Sequence, residues 1–172
     1  HMQDVNGSGN VINYPELKDN YAVLVAASEG WKNYRHQADV LGMYHYLKAR
    51  GYDDDHIIMI MADDIAHNER NPLQGVVRRE QSGKNLYEGV QIDYRLGNLT
   101  LSDLKQILTG EPSEEFPVTL RSSASDNVLF FWSGHGTQLG WEWKDTEHVS
   151  ASFARSLFSD MQYRKMFAIV ET

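Results

Sequence analysis

Four short stretches of the chain are apolar almost without interruption. They are Tyr21–Ala27 (YAVLVAA), His56–Met61 (HIIMIM), Asn127–Trp132 (NVLFFW) and Met166–Val170 (MFAIV). None alternates between apolar and polar residues as a half-solvated strand would, so each predicts a strand buried on both faces. The segments between them carry a helical period. Ala38, Leu41, Tyr44 and Leu47 recur on one helix face, and Gly51 stands where a C-terminal cap belongs. Leu101, Leu104, Ile107 and Leu108 mark a second, shorter helix. Thr100 and Asp103 form a capping-box pattern at its start, with Asp in the usual Glu/Gln slot, and Gly110 stops it. Phe153, Leu157 and Met161 mark one face of a third helix. Residues 62–98 show no period and are rich in Asn, Gly, Arg and Glu. A segment this long in a compact domain is either functional or holds small irregular strands. Residues 111–126 form a surface connection broken by Pro112 and Pro117. Apolar strands alternating with helices predict a parallel sheet covered on both faces.

Ligands of such sheets sit beyond the carboxyl ends of the strands. Here those ends lead into Ser28–His36, Asp63-Asp64, Ser133–Gly136 and Glu171-Thr172. His135 lies between two glycines, where the backbone can turn tightly and approach a ligand. A histidine so placed can move a proton near neutral pH, or can simply be a solvated turn residue. The backbone N–H of Gly136 can face a developing oxyanion. Arg35 and His36 are either a surface pair at a helix start or part of a site. Arg35 is the odder of the two there, because the helix dipole favours acids at that end. Asp63-Asp64 lacks the further ligands that a divalent cation needs. His45, His56, His67 and His148 show no zinc spacing, so no metal is expected.

Composition narrows the field. The 172 residues suffice for one domain with a sizeable core, and the net charge of −8 argues against a nucleic-acid partner. No apolar run reaches membrane-spanning length. The chain has no cysteine, so it holds neither a disulfide nor a thiolate nucleophile of its own. His1-Met2 reads as a cloning remnant, and residues 1–20 as that remnant plus a flexible arm ahead of a peptidase-like segment over 21–172.

Five segments in order, NYRHQAD (33–39), ADDIAHNERNP (62–72), YEGVQIDY (87–94), SGHG (133–136) and YRKMFAIVET (163–172), resemble the legumain-type cysteine peptidases. That family includes the catalytic subunit of the glycosylphosphatidylinositol transamidase. The resemblance implies a caspase-like three-layer α/β/α sandwich with a mostly parallel central sheet, incomplete in this chain. It implies a catalytic His135, a Cys nucleophile following Thr172, an oxyanion contact from Gly136, and Asn33 orienting the histidine. Arg35, His36 and Glu171 map to a pocket for Asn, or for protonated Asp, on a peptide or protein substrate. No cofactor is implied. The implied partner is the remainder of the same protein, carrying the Cys, and the chain alone is not expected to be a stable monomer because its sheet would keep an apolar edge. An exported location is expected, periplasmic or extracellular if the source is bacterial. Legumains of plants and animals carry Asp before the catalytic His, where Gly134 stands here, a form closer to the transamidase and bacterial branches. Acyl transfer to an amine, or an inactive binding scaffold, are the alternatives. A flavodoxin-like domain fits the strand–helix order but has no phosphate loop behind it.

Overall fold

The computed structural model describes residues 19–172. The reading of residues 1–18 as an arm lies outside the described residues. Five parallel strands form the main sheet: β1 (Asn20–Ala26), β2 (Ile57–Met61), β3 (Tyr94–Arg95), β4 (Asn127–Ser133) and β8 (Lys165–Glu171), in the order β3-β2-β1-β4-β8. The apolar runs predict four of them within one or two residues. His56 is the main difference at a boundary. It belongs to a 3₁₀ turn whose Asp53 cap accepts its backbone N–H, so the strand starts at Ile57.

Each face of the sheet has its own core, as two-sided strands require. On one side Ala22, Leu24 and Ala26 pack with α1 (Tyr34–Lys48). On the other Val23, Val25 and Ala27 meet α2 (Leu101–Thr109) and α3 (Ala151–Asp160). The result is the expected three-layer α/β/α arrangement. The helix signals are local and hold. Gly51 has φ +92° and donates to Lys48, while Tyr52 donates to Leu47, which together close the last turn of α1. The Thr100–Asp103 capping box forms with both reciprocal bonds.

The irregular segment 62–98 contains only β3 and a 3₁₀ turn as regular structure, and it is still part of the core. Ile65, Ala66 and Val77 are buried beside α1. A small antiparallel sheet, β5 (Gly136–Thr137), β6 (Gly140–Trp143) and β7 (Glu147–Val149), was not anticipated. Its strands are two to four residues long and lie directly after the glycine-flanked histidine, where sequence indicated only a turn. Aromatic stacking explains its attachment. Trp143 is fully buried, its indole N–H donates to the Leu99 carbonyl at 3.2 Å, and it packs near Trp132.

β8 departs most from expectation. Its run MFAIV predicts burial on both faces, but Phe167 is 67% exposed and Ala168 is also exposed. β8 is the last strand of the sheet and pairs only with β4. Ile169 packs partly against one core, and Met166 and Val170 against the other. The rest of its apolar surface stays in solvent.

Candidate active site

The register assembles the site. Ala26, Ser133 and Glu171 sit side by side at the carboxyl ends of β1, β4 and β8. The exit of β4 is bonded on both sides: Ala27 N–H donates to Ser133 at 2.9 Å, and Gly134 N–H donates to Glu171 at 3.1 Å. His135 therefore starts from a fixed backbone. Its own carbonyl accepts from Glu142 of β6 at 2.8 Å, which is one purpose the small sheet serves.

The His135 ring is half-buried, and its Nε2 lies 2.8 Å from Asn33 Oδ1. Asn33 is buried, and its Nδ2 donates to the Glu29 carbonyl at 2.8 Å. With Nδ2 occupied as a donor, the atom facing His135 is the acceptor Oδ1. By valence, His135 carries its proton on Nε2 and leaves the Nδ1 lone pair available. Asn33 thus sets both the orientation and the tautomer of the ring.

His36 stacks edge-on against His135, with ring centroids 4.7 Å apart. It is buried, and its Nδ1 pairs with Ser28 Oγ at 2.6 Å. Burial, followed by the charge of Arg35 and the neighbouring His135, pushes its pKa down to about 4. His36 is accordingly neutral at ordinary pH. His36 is buried and so is not an ordinary surface residue, while Arg35 is exposed in the first turn of α1. Both belong to the helix rather than to the loop before it.

Glu171 is exposed at the end of β8, and among the described residues neither it nor Arg35 is engaged in an ion pair. Both are open to a ligand. Gly136 is exposed and tightly approached: a Cβ placed there would meet Thr172 at 2.8 Å. The end of β8 and the glycine after His135 are therefore in contact. Gly134 is also crowded, with a Cβ position 3.1 Å from that of Ala27.

All six residues singled out from the sequence occupy this end of the sheet. Several others were missed. Ser28 holds His36, Ser133 Oγ donates to Asp39 at 3.1 Å, and Gln37 is completely buried. Gln37 had a readable signal, since it shares the spacing i, i+4, i+7 with Leu41 and Tyr44 on the inward face of α1. Asp63 and Asp64 are not placed as cation ligands. Asp64 accepts from Gly30 N–H and Gln37, and Asp63 accepts from Tyr87 and Arg95. Among the described residues no group of three or more His, Cys, Asp or Glu is arranged to hold a metal. A concavity of about 460 Å³ lies at the opposite end of the strands beside Tyr21, His56 and Asp93, away from this chemistry.

A histidine at a strand end, oriented by a buried amide beside a glycine turn, keeps one ring nitrogen with which a proton can be exchanged. Residues 20–172 match the Peptidase C13 family, and the chain belongs to that family. It is 38% identical over 154 residues to a hemoglobinase of Schistosoma mansoni, covering 88% of this chain and 36% of the relative. A hemoglobinase of Schistosoma japonicum is 37% identical over 150 residues, covering 87% and 35%. A GPI-anchor transamidase of Bos taurus is 33% identical over 162 residues, covering 90% and 41%. The chain spans less than half the length of each of these three relatives. No described helix is long and apolar enough to cross a membrane.

Proposed function

We propose that the complete protein is a cysteine endopeptidase that cleaves peptide bonds after Asn, or after protonated Asp, with a Cys following Thr172 as nucleophile. The observation that carries this reading is the His135–Asn33 pair at 2.8 Å, placed against the Gly136–Thr172 contact. In this reading the residue after Thr172 is the one served by the free Nδ1 of His135.

The Cys thiol gives its proton to His135 Nδ1, and the thiolate attacks the scissile carbonyl carbon and forms the carbon–sulfur bond. The carbonyl electrons move to oxygen, and the Gly136 N–H serves that oxyanion. As the carbon–nitrogen bond breaks, His135 delivers a proton to the departing amine. Water then attacks the thioester, giving the acid product and the free thiol. Arg35 donates to the side-chain carbonyl of the substrate, while Glu171 accepts from its amide N–H₂. Neutral His36 stacks edge-on to His135 beside them. Such paired polar groups discriminate strongly, because a side chain lacking the partners leaves them unsatisfied.

The test is a matched peptide series assayed with the complete protein. Peptides with Asn before the scissile bond should be cut and their Gln and Ala analogues should not. His135→Ala should lower kcat by about 10²- to 10⁴-fold, the usual share of proton transfer. Equal cleavage of the Ala peptide would defeat the specificity, and an unchanged His135→Ala enzyme would defeat the mechanism.

One observation favours a second reading, transfer of the acyl group to an amine other than water. Position 134 is Gly, pressed against Ala27, and relatives named GPI-anchor transamidase cover most of this chain. A peptide amine at low concentration separates the two, because only an enzyme built for transfer favours it over water. A new amide formed at the expense of hydrolysis supports transfer, and acid product alone supports the peptidase. An exported location, periplasmic or extracellular if the source is bacterial, belongs to the same reading. A complete sequence without Cys after Thr172 would leave the binding scaffold.

A further inference from the structure

Asn33 orients His135, but what holds Asn33 comes from the neighbouring strand. Its backbone N–H donates to the Gly30 carbonyl at 3.0 Å, so its position follows that of Gly30. Gly30 has φ +85°, a conformation that side chains resist, and no regular ladder fixes it. Its N–H is instead held at 2.7 Å by Asp64 Oδ2, from the loop after β2. The other oxygen of Asp64 accepts from Gln37 Nε2 at 2.6 Å, and Gln37 Oε1 accepts from Asp63 N–H at 3.0 Å. Gln37 is 0% exposed and belongs to α1, the helix that also carries His36. The Asn68 side chain donates to the Asp64 carbonyl at 3.0 Å, which ties down the loop itself.

We infer that Asp64 and Gln37 are positioning residues for the reaction: together they clamp Gly30 and, through it, set Asn33 and the ring of His135. This rests on the reading of His135 as the proton-transfer group. Neither residue touches the reacting atoms. Their contribution is the placement of the 28–33 loop against α1 and the loop after β2. Displacements of about 1 Å at such supports can cost on the order of 10²-fold in rate.

The donor–acceptor pattern gives a test with a built-in rescue. Asp64 offers acceptors to two donors, Gly30 N–H and the Gln37 amide. Asp64→Asn leaves one donor facing another. Gln37→Glu alone sets two carboxylates against each other. The double swap Gln37→Glu/Asp64→Asn restores every match. The carboxylate introduced at position 37 accepts from Asp63 N–H and from the amide introduced at position 64, whose oxygen accepts from Gly30. Net charge is unchanged, and both side chains keep their shape.

The experiment measures kcat and KM of the complete protein on an Asn peptide, with thermal melting as the folding control. Asp64→Asn and Gln37→Glu are each expected to lower kcat by about 10- to 100-fold with KM changed by no more than about threefold. The swap should return kcat to within about fivefold of wild type. An Asp64→Asn enzyme that is folded and turns over at the wild-type rate overturns the inference. If the single variants fail to fold, the swap decides: folded and active supports it, and unfolded or folded and slow overturns it. A wild-type enzyme that cuts no Asn peptide defeats the peptidase reading and this one with it. An active wild type with an indifferent Asp64 defeats only this one.

Discussion

β1 and β8 are nearly equal as sequences and opposite as structures. Both are short apolar runs that end at the same level of the sheet, with Ala26 and Glu171 flanking Ser133. β1 is central, and Ala22 to Ala26 are all 0% exposed. β8 is lateral, with Phe167 and Ala168 in solvent. The contrast continues beyond the strands. β1 leads into a loop in which Ser28, Gly30 and Asn33 each have a partner. β8 leads into Glu171 and Thr172, both exposed. One side of the site is finished within this chain, and the other presents surface to whatever packs on β8. Apolarity shows that a strand is built to be covered; it does not show that the cover is present.

Core truncation should expose this difference most strongly. Leu24→Ala is expected to destabilise by about 2–5 kcal/mol, because the site is closed on every side and leaves a cavity. Phe167→Ala should change stability by no more than about 0.5 kcal/mol, because the ring is mostly in water already. Chemical denaturation of both variants checks the pair, and equal losses would break the comparison.

Acid titration gives the next effect. Between about pH 4 and 6.5 the unfolded chain binds a proton at His36 that the folded chain refuses. His36 therefore adds stability as pH rises through that window, by on the order of 3 kcal/mol at most. Burial, with a small push from Asp54, raises the Asp93 carboxyl to about 6. Between 3.8 and about 6 the folded chain keeps a proton that the unfolded chain has released, so Asp93 removes stability as pH rises. The two slopes oppose each other. Asp93→Asn should steepen the loss of stability from pH 6 down to 4, measured as melting temperature against pH. An unchanged slope would mean that Asp93 does not oppose His36 in this window.

Self-association is smaller in energy and specific to β8. The isolated chain should associate through this edge with rising concentration, and Phe167→Lys should weaken that association by light scattering. A monodisperse monomer at high concentration would break the contrast from the other side. The finest effect falls where the two regions meet. Gly136→Ala would bring a methyl within 2.8 Å of Thr172 Cβ. It should lower kcat of the complete protein while shifting the melting temperature by only a few degrees.

Much of the site was legible because it is local. His135 between glycines, and Asn33, Arg35 and His36 within one four-residue motif, lie at strand ends that the apolar runs locate. Gln37 and Asp64 were not legible as a pair. They are 27 positions apart, and their meeting depends on β1 and β2 being neighbours in the sheet. The small β5–β7 sheet escaped notice for another reason. Its strands are too short to show a period, and its place is fixed by Trp143 reaching Leu99, 44 residues away.

Sequence by itself determined the four long strands, the helix caps and the side chains able to do chemistry, because propensity, period and turn residues act over a few positions. Tertiary structure decided which apolar strand is covered, which tautomer His135 holds, and which donors the Asp63 and Asp64 carboxylates accept from. Those outcomes depend on atoms that strand order brings together, and strand order follows from packing across the whole sheet.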